Sequence, residues 1–550
     1  MHSSEAMETF NLARELERIA AERPFDPGII FPVGRQNEKG SFVQFSFQQL
    51  NQRVDRYAHG LIGFGARRGE RCLVMLRPGV DLIAVVFALI KIGAVPVLID
   101  PGMGLKAFLK CVSETQPTLM IGIPLAHLLK AIVKKPFKTI TRCVIDGPAI
   151  FGIPTLKKLN VSTRAAFPAV ATRLDEEAAV AFTSGGTGIP KGVVYEHGMF
   201  EAQIASMKRD LNIQPGEIHL AAMYIFALFN PALGVTTIIP DMDPRKTEKL
   251  NPARLVEAIQ TFGVTMSLGS PTVWRLVGDY CRRNQIELPS VKHIFMFGAP
   301  VYPNLIESFQ KLLPNGIIQT PYGATEALPL TTIDGKEVLD DTAVSTQKGK
   351  GVCVGKPVEG VEICIIATSD DPIEHFEPTL RQKPGVIGEI CVKGSMVTKS
   401  YLNRPQKTRE AKIQEGAVYW HRMGDLGYLD EKGRVWVCGR KAHRVETAKT
   451  QLLPICVEPL FNRHPAVFRS ALVGVGELGS QTPVVLIETI KSSSQSGFDQ
   501  LKRELRQIAV DAGLEFEHIL QHPRFPVDVR HNAKIQRHIL AEWAEKRIPT

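Results

Sequence analysis

The stretch TSGGTGIPKG, residues 183–192, has the glycines, hydroxyls and single lysine of a phosphate-binding loop. It fits neither common nucleotide-binding pattern. A Walker loop ends in Gly-Lys-Ser/Thr, whereas Pro190 precedes Lys191 and Gly192 follows it; G-x-G-x-x-G fails because Lys191 takes the place of its third glycine. The groups that could contact an anion are the backbone amides of Gly185, Gly186 and Gly188 and the side chains of Thr183, Ser184, Thr187 and Lys191. Taken alone, the stretch also fits a surface turn.

Three further stretches carry groups that could complete a nucleotide site. The motif YGATE supplies the aromatic ring of Tyr322 and the carboxylate of Glu326, which could meet Mg²⁺ beside a phosphate loop. Asp425, in HRMGDLGYLD, is suited to accept two hydrogen bonds from a ribose diol, and Arg440 could reach phosphate or hydroxyl oxygens. Lys534 lies between a turn and a last helix. Each stretch, taken singly, fits a structural turn or a solvated charge equally well.

The elements that must position these groups alternate between strand and helix up to about residue 340. This alternation predicts parallel sheets with both faces covered. The run AVAF directly precedes the loop, so the loop is expected at the carboxyl end of a strand, where open α/β sheets bind ligands. Between about residues 350 and 438 short strands and turns predominate, and the turn from Asp430 to Gly433 predicts a hairpin.

The bulk composition excludes several classes of protein. The net charge is +10, but Lys and Arg are scattered among 56 acidic residues without a basic stripe, which favours anionic ligands or a membrane surface over nucleic acid. Nine cysteines without a C-x-x-C pair predict buried free thiols and a cytoplasmic location. The apolar run LIAVVFALIKIGAVPVLID is interrupted by Lys91, Gly93 and Pro96, and predicts a buried helix and strand instead of a membrane span.

Taken in order, TSGGTGIPKGVVYEH, YGATE, GDLGYLD, GRK and the terminal AKI lysine closely resemble the adenylate-forming superfamily of acyl-CoA synthetases, peptide-synthetase adenylation domains and luciferase. The resemblance covers nearly the whole chain. It implies an α/β fold: an N-terminal domain (1–439) of parallel αβ layers (about 1–345) with a small β-barrel-like subdomain (about 346–439). A small mobile α+β C-terminal domain (440–550) would follow and swing about a hinge near GRKA.

The resemblance also implies ATP and Mg²⁺ as cofactors, with a substrate carboxylate attacking the α-phosphate of ATP. Thr187 and Lys191 would contact the leaving pyrophosphate, and Glu326 and Thr187 the Mg²⁺. Lys534 would bridge the carboxylate and the α-phosphate in the transition state. The remaining nucleotide contacts that it implies are Tyr322 near adenine, Asp425 on the ribose hydroxyls with Arg440 beside it, and Thr183, Ser184, Gly185, Gly186, Gly188, Gly298, Ala299, Pro300, Gly323 and Thr325.

The segment after the hinge departs from most relatives, which resemble IKxxGxRIxPxEIE where this chain has VETAKTQLLPICVE. Glu446 stands in place of the lysine, Lys449 in place of the glycine and Cys456 in place of a glutamate. In relatives this glycine loop forms the channel for the pantetheine arm of CoA or of a carrier protein. A side chain at the glycine position shifts the backbone or fills that channel, which argues against thioester formation.

The loop variant with Gly186, the run DMDPRK at 241–246 and the ending RHNAKIQR resemble one subgroup, the β-lactone synthetases of bacterial long-chain olefin biosynthesis. This resemblance implies adenylation of a 2-alkyl-3-hydroxy fatty acid, whose own hydroxyl closes on the activated carbonyl and expels AMP. A dry apolar pocket is then expected. Its candidate walls are Met223, Phe226, Phe229 and Phe297, together with Phe295. The candidate bases for the hydroxyl are His197, Asp241 and Asp243, and the phosphate of released AMP is an alternative to them.

Two other functions stay open at this point. One is a long-chain fatty acyl-CoA ligase, which would require CoA for its product. The other is a nucleotide-binding scaffold without catalysis, which would bind ATP without exchanging pyrophosphate. The resemblance further implies a thiolase, a reductase and a β-lactone decarboxylase as pathway partners, and a peripheral membrane contact is compatible with the basic charge.

Overall fold

The computed structural model describes residues 8–32, 41–150, 152–182, 190–243, 247–490, 495–527 and 535–548. Three successive parts of the chain, ending near residues 320, 440 and 548, build separate sheets. The first two parts meet at the candidate site, and the third follows the predicted hinge.

Two largely parallel sheets and their covering helices form the first part. Its strands are β1 (Pro27–Pro32), β2 (Phe42–Ser46), β3 (Arg71–Met75), β4 (Val95–Leu98), β5 (Leu119–Gly122), β6 (Arg142–Ile145), β7 (Glu177–Phe182), β8 (Gly192–Glu196), β9 (Ile218–Leu220), β10 (Thr236–Ile238), β11 (Met266–Gly269), β12 (His293–Met296) and β13 (Ile317–Gln319). Its helices are α1 (Leu12–Glu22), α2 (Phe47–Gly63), α3 (Val80–Lys91), α4 (Leu105–Thr115), α5 (Pro124–Ile132), α6 (Leu156–Leu159), α7 (His197–Arg209), α8 (Asn230–Leu233), α9 (Pro252–Phe262), α10 (Pro271–Asn284) and α11 (Pro303–Gln310).

One of these sheets has the order β6-β5-β3-β4-β7-β8 and the other β13-β12-β11-β9-β10-β1-β2. Among the described strands of these two sheets, the edge strands β8 and β2 pair antiparallel and the others pair parallel. The predicted parallel α/β layers are therefore confirmed.

Helix α3 confirms the interpretation of the longest apolar run as a buried helix. Every residue of α3 except Asp81 is buried, including Lys91, whose ammonium pairs with Glu17 (2.9 Å) and with Asp55. These carboxylates make the burial of its charge tolerable. Across the ranges that the structure describes, no helix combines the length and apolar character needed to cross a membrane.

The second part is an eight-stranded antiparallel sheet, and its strands carry the site residues Tyr322, Asp425 and Arg440. Its order is β14-β15-β16-β21-β20-β18-β17, with β19 paired to β20. The predicted hairpin is present: Leu429 pairs with Val435, and Gly433 takes φ +73° in the turn. The sheet already begins at Tyr322, ahead of the boundary expected near residue 345. Its elements are β14 (Tyr322–Ala324), β15 (Ala327–Thr332), α12 (Gly335–Glu337), α13 (Ala343–Gln347), β16 (Val352–Pro357), β17 (Val361–Ile366), β18 (Gly388–Gly394), α14 (Pro405–Ala411), β19 (Lys412–Glu415), β20 (Val418–Leu429) and β21 (Val435–Arg440).

The third part has its own sheet and its own apolar cores. Its elements are β22 (Val445–Glu446), β23 (Gln451–Leu452), α15 (Pro454–Asn462), β24 (Val467–Val475), β25 (Thr482–Thr489), α16 (Gln495–Asp511), β26 (His518–Gln521) and α17 (Arg537–Glu545). Polar contacts tie the hinge to the second part. The ammonium of Lys441 donates to the Ser369 carbonyl (2.8 Å) and pairs with Glu389 (3.1 Å).

Candidate active site

A cavity of about 2590 Å³ lies among the loops at the carboxyl ends of the parallel strands and the neighbouring antiparallel sheet. It brings together predicted site residues that are spread over 250 positions of the sequence. Those that line it are Lys191, Met223, Phe226, Phe229, Phe297, Gly298, Ala299, Pro300, Tyr322, Gly323, Thr325, Glu326, Asp425 and Arg440.

Seven predicted site residues lie outside the described part of the chain. They are Thr183, Ser184, Gly185, Gly186, Thr187, Gly188 and Lys534. Their expected roles therefore stay predictions.

Asp425 is held at the cavity wall by one hydrogen bond and one ion pair. It lies on β20 opposite Arg440 of β21, and the Arg440 Nε reaches its Oδ1 at 3.2 Å. The Tyr322 hydroxyl donates to Asp425 Oδ2 at 2.7 Å. Burial raises the pKa of Tyr322, and the charge of Asp425 raises the pKa of Arg440, so both donors stay protonated. The carboxylate is thus fixed in orientation, as a group that accepts hydrogen bonds from a sugar diol must be.

A second hydrogen-bonded chain joins the lysine of the loop to the carboxylate expected to meet Mg²⁺. The Lys191 ammonium donates to the Tyr401 hydroxyl at 2.9 Å, and its nitrogen lies 4.1 Å from the centre of the Tyr401 ring. That hydroxyl in turn donates to Glu326 Oε1 at 2.7 Å. Burial lowers the pKa of Lys191, while burial and the Glu326 charge raise that of Tyr401.

Tyr401 is a site residue that sequence reasoning missed. It lies 210 positions from Lys191, and the two segments are joined by an isolated bridge between Val193 and Tyr401 and by the hydrogen bond from the Leu402 amide to the Gly192 carbonyl (2.8 Å). The sequence offers only the segment SYLNRP, shortly after the strand pattern GEICVKG, and nothing in that segment indicates a contact with the loop.

Hydrogen bonds from β8 and from the segment that follows β18 fix the YGATE segment. The Tyr195 hydroxyl donates to the Thr325 carbonyl at 2.6 Å, and the Thr398 amide donates to the Glu326 carbonyl at 2.9 Å. The Glu326 side chain is only 7% exposed. Its carboxylate is therefore positioned before any ligand arrives.

Buried Lys412 adds positive charge behind this carboxylate. Its ammonium donates to the Thr398 carbonyl, and burial lowers its pKa to about 7, although the charge of Glu326 acts in the opposite direction. Lys412 pairs across the strands with His421, whose pKa burial and the nearby lysines lower well below its usual value. Charge in this region thus depends on a lysine that titrates near neutral pH.

The apolar wall of the cavity is aromatic, as expected, with one correction. Phe226 and Phe297 meet edge to face with ring centres 4.9 Å apart, and Phe229 packs in the same way on Phe200 at 5.8 Å. The prediction that Phe295 belongs to this wall is wrong, because Phe295 is fully buried and does not border the cavity. It lies on β12, where its side chain packs into the core between sheet and helices.

The candidate bases for a substrate hydroxyl separate into two groups. His197 is 1% exposed at the start of α7 and does not border the cavity, and burial lowers its pKa to about 4. It is therefore excluded as the base. Asp241 and Asp243 both line the cavity.

Glu326, the carboxylate expected to meet Mg²⁺, lines the cavity. Among the residues that the structure describes, no cluster of three or more His, Cys, Asp or Glu side chains could bind a metal ion by itself. This donor set fits a Mg²⁺ that arrives bound to phosphates and retains water ligands.

Residues 16–402 match the family described as AMP-binding enzyme. The chain belongs to the AMP-binding enzyme family. This AMP-binding enzyme is 43% identical over 549 residues to an olefin beta-lactone synthetase of Stenotrophomonas maltophilia, covering 97% of this chain and 98% of the relative. It is 42% identical to an olefin beta-lactone synthetase of Xanthomonas campestris pv. campestris, covering 97% of both chains.

Solved structures show the same fold for this AMP-binding enzyme. An amide bond synthetase from Marinactinospora thermotolerans superposes with a TM-score of 0.76 at 18% identity, covering 97% of this chain and 99% of the other. The o-succinylbenzoate CoA synthetase of Bacillus subtilis in complex with ATP and magnesium ion has a TM-score of 0.73 at 22% identity, covering 95% and 98%. The expected α/β fold followed by a small C-terminal domain is confirmed.

Proposed function

We propose that this AMP-binding enzyme is an ATP-dependent olefin β-lactone synthetase. It would adenylate the carboxylate of a 2-alkyl-3-hydroxy fatty acid and close the 3-hydroxyl onto the activated carbonyl, with release of pyrophosphate and AMP. The observation that carries this proposal is the 42–43% identity, over nearly the full length of both chains, to two relatives named for that product.

The described side chains suit the adenylation step. Asp425, held by Tyr322 and Arg440, would bind the ribose, and Lys191 would contact the leaving pyrophosphate. Glu326 would hold Mg²⁺, which when bound supplies positive charge to the phosphate oxygens. Phosphoryl transfer needs positioned groups more than covalent help, and the hydrogen-bonded chain through Tyr401 provides that positioning.

The cavity suits the cyclisation step. Its volume of about 2590 Å³ covers the expected nucleotide region around Asp425, a face of the C-terminal part around Phe468, and the phenylalanine-lined portion proposed for the alkyl chains. Its phenylalanine wall excludes water, which would hydrolyse an acyl-adenylate. An internal hydroxyl held close to the carbonyl has an effective concentration far above that of an external thiol, up to roughly 10⁵ M less the cost of ring strain. Asp241 and Asp243 border the cavity and are the protein groups proposed to accept the hydroxyl proton.

The hairpin after the hinge gives no support to a thiol channel. Val445 pairs with Leu452, and Lys449 lies exposed in the connecting turn, away from the cavity lining. Its backbone does not take the left-handed conformation that favours glycine. This arrangement supports a product formed without CoA.

The pathway partners are also part of the proposal. A thiolase and a reductase would supply the 2-alkyl-3-hydroxy acid, and a β-lactone decarboxylase would consume the product. All nine cysteines are free, which agrees with the cytoplasm as the proposed location.

The test is to give the purified protein Mg-ATP and a synthetic 2-alkyl-3-hydroxy fatty acid, with and without CoA, and to identify the acyl product by NMR while AMP is measured. A lactone formed without CoA is expected. A thioester that forms only with CoA would establish an acyl-CoA ligase instead. ATP binding without pyrophosphate exchange would favour a scaffold.

Two controls sharpen this test. The matching 2-alkyl acid without the hydroxyl should support pyrophosphate exchange but yield no lactone. Lys534→Ala should slow adenylation by roughly 10²–10³ if the lysine acts as one preorganised donor, whereas Lys546→Ala, an exposed lysine after the last helix, should not.

A further inference from the structure

Helices α4 and α5 present an apolar surface that no other described residue covers. Leu125, Leu128 and Ile132 are 69%, 46% and 70% exposed, and their spacing of three and four places them on one face of α5. Leu105, the first residue of α4, is 58% exposed. Single exposed apolar side chains are ordinary, but a group of four suggests a binding surface. We call these four residues the α4–α5 patch.

The same elements carry a concentration of positive charge. The segment 124–138 contains four lysines and no acidic residue. The acid of α4, Glu114, is paired with Arg404 at 2.7 Å. The lysines of α4, α5 and the turn that follows are Lys106, Lys110, Lys130, Lys134, Lys135 and Lys138.

The active-site cavity reaches this surface. Leu105 and Leu125 line the cavity and are also more than half exposed, so they stand at an opening of it. Leu129 and the buried Phe108 continue the lining inward from there. An apolar path therefore connects the α4–α5 patch with the cavity.

We propose that the α4–α5 patch docks on the surface of an anionic lipid bilayer, so that a long-chain acid passes from the membrane directly into the cavity. The proposal rests on the proposed function only for the identity of that acid. Exposed leucine and isoleucine side chains bury at the boundary of head groups and acyl chains, while lysines beside them attract anionic lipid. A second copy of the chain fits this surface less well, because two-fold pairing would bring the two sets of lysines together.

The test is co-sedimentation of the full chain with vesicles of phosphatidylcholine alone or with one third phosphatidylglycerol, at low and high salt. We expect binding to the anionic vesicles that falls as salt is raised. The double variant Lys134→Glu and Lys135→Glu should bind at least about 25-fold more weakly, at roughly fivefold for each lysine lost. The double variant Leu128→Gln and Ile132→Gln should bind about tenfold more weakly or worse.

Matched variants elsewhere on the surface serve as controls. Lys157→Glu with Lys158→Glu changes two adjacent exposed lysines of α6, and Ile62→Gln with Val344→Gln changes side chains that are 46% and 59% exposed. Both controls should bind vesicles like the unaltered chain. Leu128 and Ile132 do not line the cavity, so their variant should still convert a short, water-soluble substrate in solution.

Three results would overturn the proposal that the α4–α5 patch docks on an anionic bilayer. They are no binding of the unaltered chain to anionic vesicles at low salt, binding that does not change with salt, and an equal loss in the control variants. A loss of self-association in the Leu128 and Ile132 variant, with vesicle binding unaffected, would assign the patch to a second copy instead. Binding is measured without substrate, so its failure counts against the docking surface whether or not the protein forms a lactone.

Discussion

At the scale of single residues, the candidate site depends on side chains that hold one another in place. Asp425 is fixed by Tyr322 and Arg440, and Glu326 is linked through Tyr401 to Lys191. The three hydrogen bonds made by Tyr322 and Tyr401 join segments far apart in the chain. Removal of one tyrosine hydroxyl should therefore disturb the charged side chain to which it is hydrogen-bonded.

Tyr401→Phe should reveal that effect. The change removes the hydroxyl between Lys191 and Glu326, and a hydrogen bond to a charged group contributes roughly 1.5–3 kcal/mol. We expect ATP–pyrophosphate exchange to slow by about 10- to 100-fold. Tyr419→Phe, on the neighbouring strand β20, is the control and should exchange at the normal rate. Normal exchange in Tyr401→Phe would show that the hydroxyl has no positioning role.

Lys412 predicts a pH dependence of stability. Burial lowers its pKa from 10.5 to about 7 in the folded protein, so between these values the unfolded chain binds more protons than the folded one. The contribution of Lys412 to the free energy of unfolding then rises with pH from about 7 towards 10 and is constant below about 7. Replacement of Lys412 by methionine should remove this dependence, which amounts to up to about 1.4 kcal/mol in the free energy of unfolding per pH unit.

Urea unfolding of Lys412→Met and of the unaltered chain at several pH values checks this prediction. The difference in free energy of unfolding should grow with pH in favour of the unaltered chain. Lys157→Met, at an exposed position of α6, should show no such trend. A difference that stays the same from pH 7 to 10 would place the pKa of Lys412 outside this window.

At the scale of elements, close packing between helices positions the sheet that carries the loop. Helix α2 approaches α6 at Gly60, where an added Cβ would lie 1.9 Å from the Leu159 carbonyl oxygen. Three residues later, at Gly63, an added Cβ would meet nothing within 4 Å. The close contact with α6 therefore leaves no space for a side chain at Gly60, whereas at Gly63 there is space for one.

Gly60→Ala and Gly63→Ala form a matched pair. Gly60→Ala should lower the free energy of unfolding by about 1–3 kcal/mol, because backbone must move to admit the methyl group. Gly63→Ala should be neutral or raise it by up to about 1 kcal/mol through helix propensity. Thermal unfolding of both variants measures the difference, and equal effects would contradict the close contact between α2 and α6.

At the scale of the whole molecule, the chain is organised as a body that carries most of the candidate site and a smaller C-terminal part. The main apolar cores of the two are separate, and a small cluster of Leu426, Cys438 and Leu453 packs across their junction. The two are joined after Arg440, where Lys441 pairs with Glu389. Motion of the smaller part as a unit, which the family resemblance predicts, requires this separation of cores.

Leu505→Ala should destabilise the C-terminal part alone. Leu505 is fully buried in the core around α16, and its truncation should cost about 2–5 kcal/mol there. Hydrogen exchange should become faster in β24 and β25 while β3 and β7 stay protected. Leu89→Ala, fully buried in α3, should produce the reverse pattern. Faster exchange in both parts from either change would mean that they unfold together.

By itself the sequence determined the family, the parallel sheets, the hairpin at Asp430–Gly433 and a group of residues that line the cavity. It could do so because these depend on contiguous motifs and on local patterns of apolar and turn residues. Tyr401 could not be found in this way, since its partner Lys191 lies 210 positions away and only the packing of two sheets brings them together.

The tertiary structure alone also decided which side of an element each side chain faces. Phe295 and Phe297 are equally apolar and two residues apart, yet only Phe297, just beyond the end of β12, borders the cavity. His197 was an equally good candidate base by residue type, but it points into the protein at the start of α7. Burial depends on the neighbours that folding supplies, and these neighbours come from distant parts of the chain.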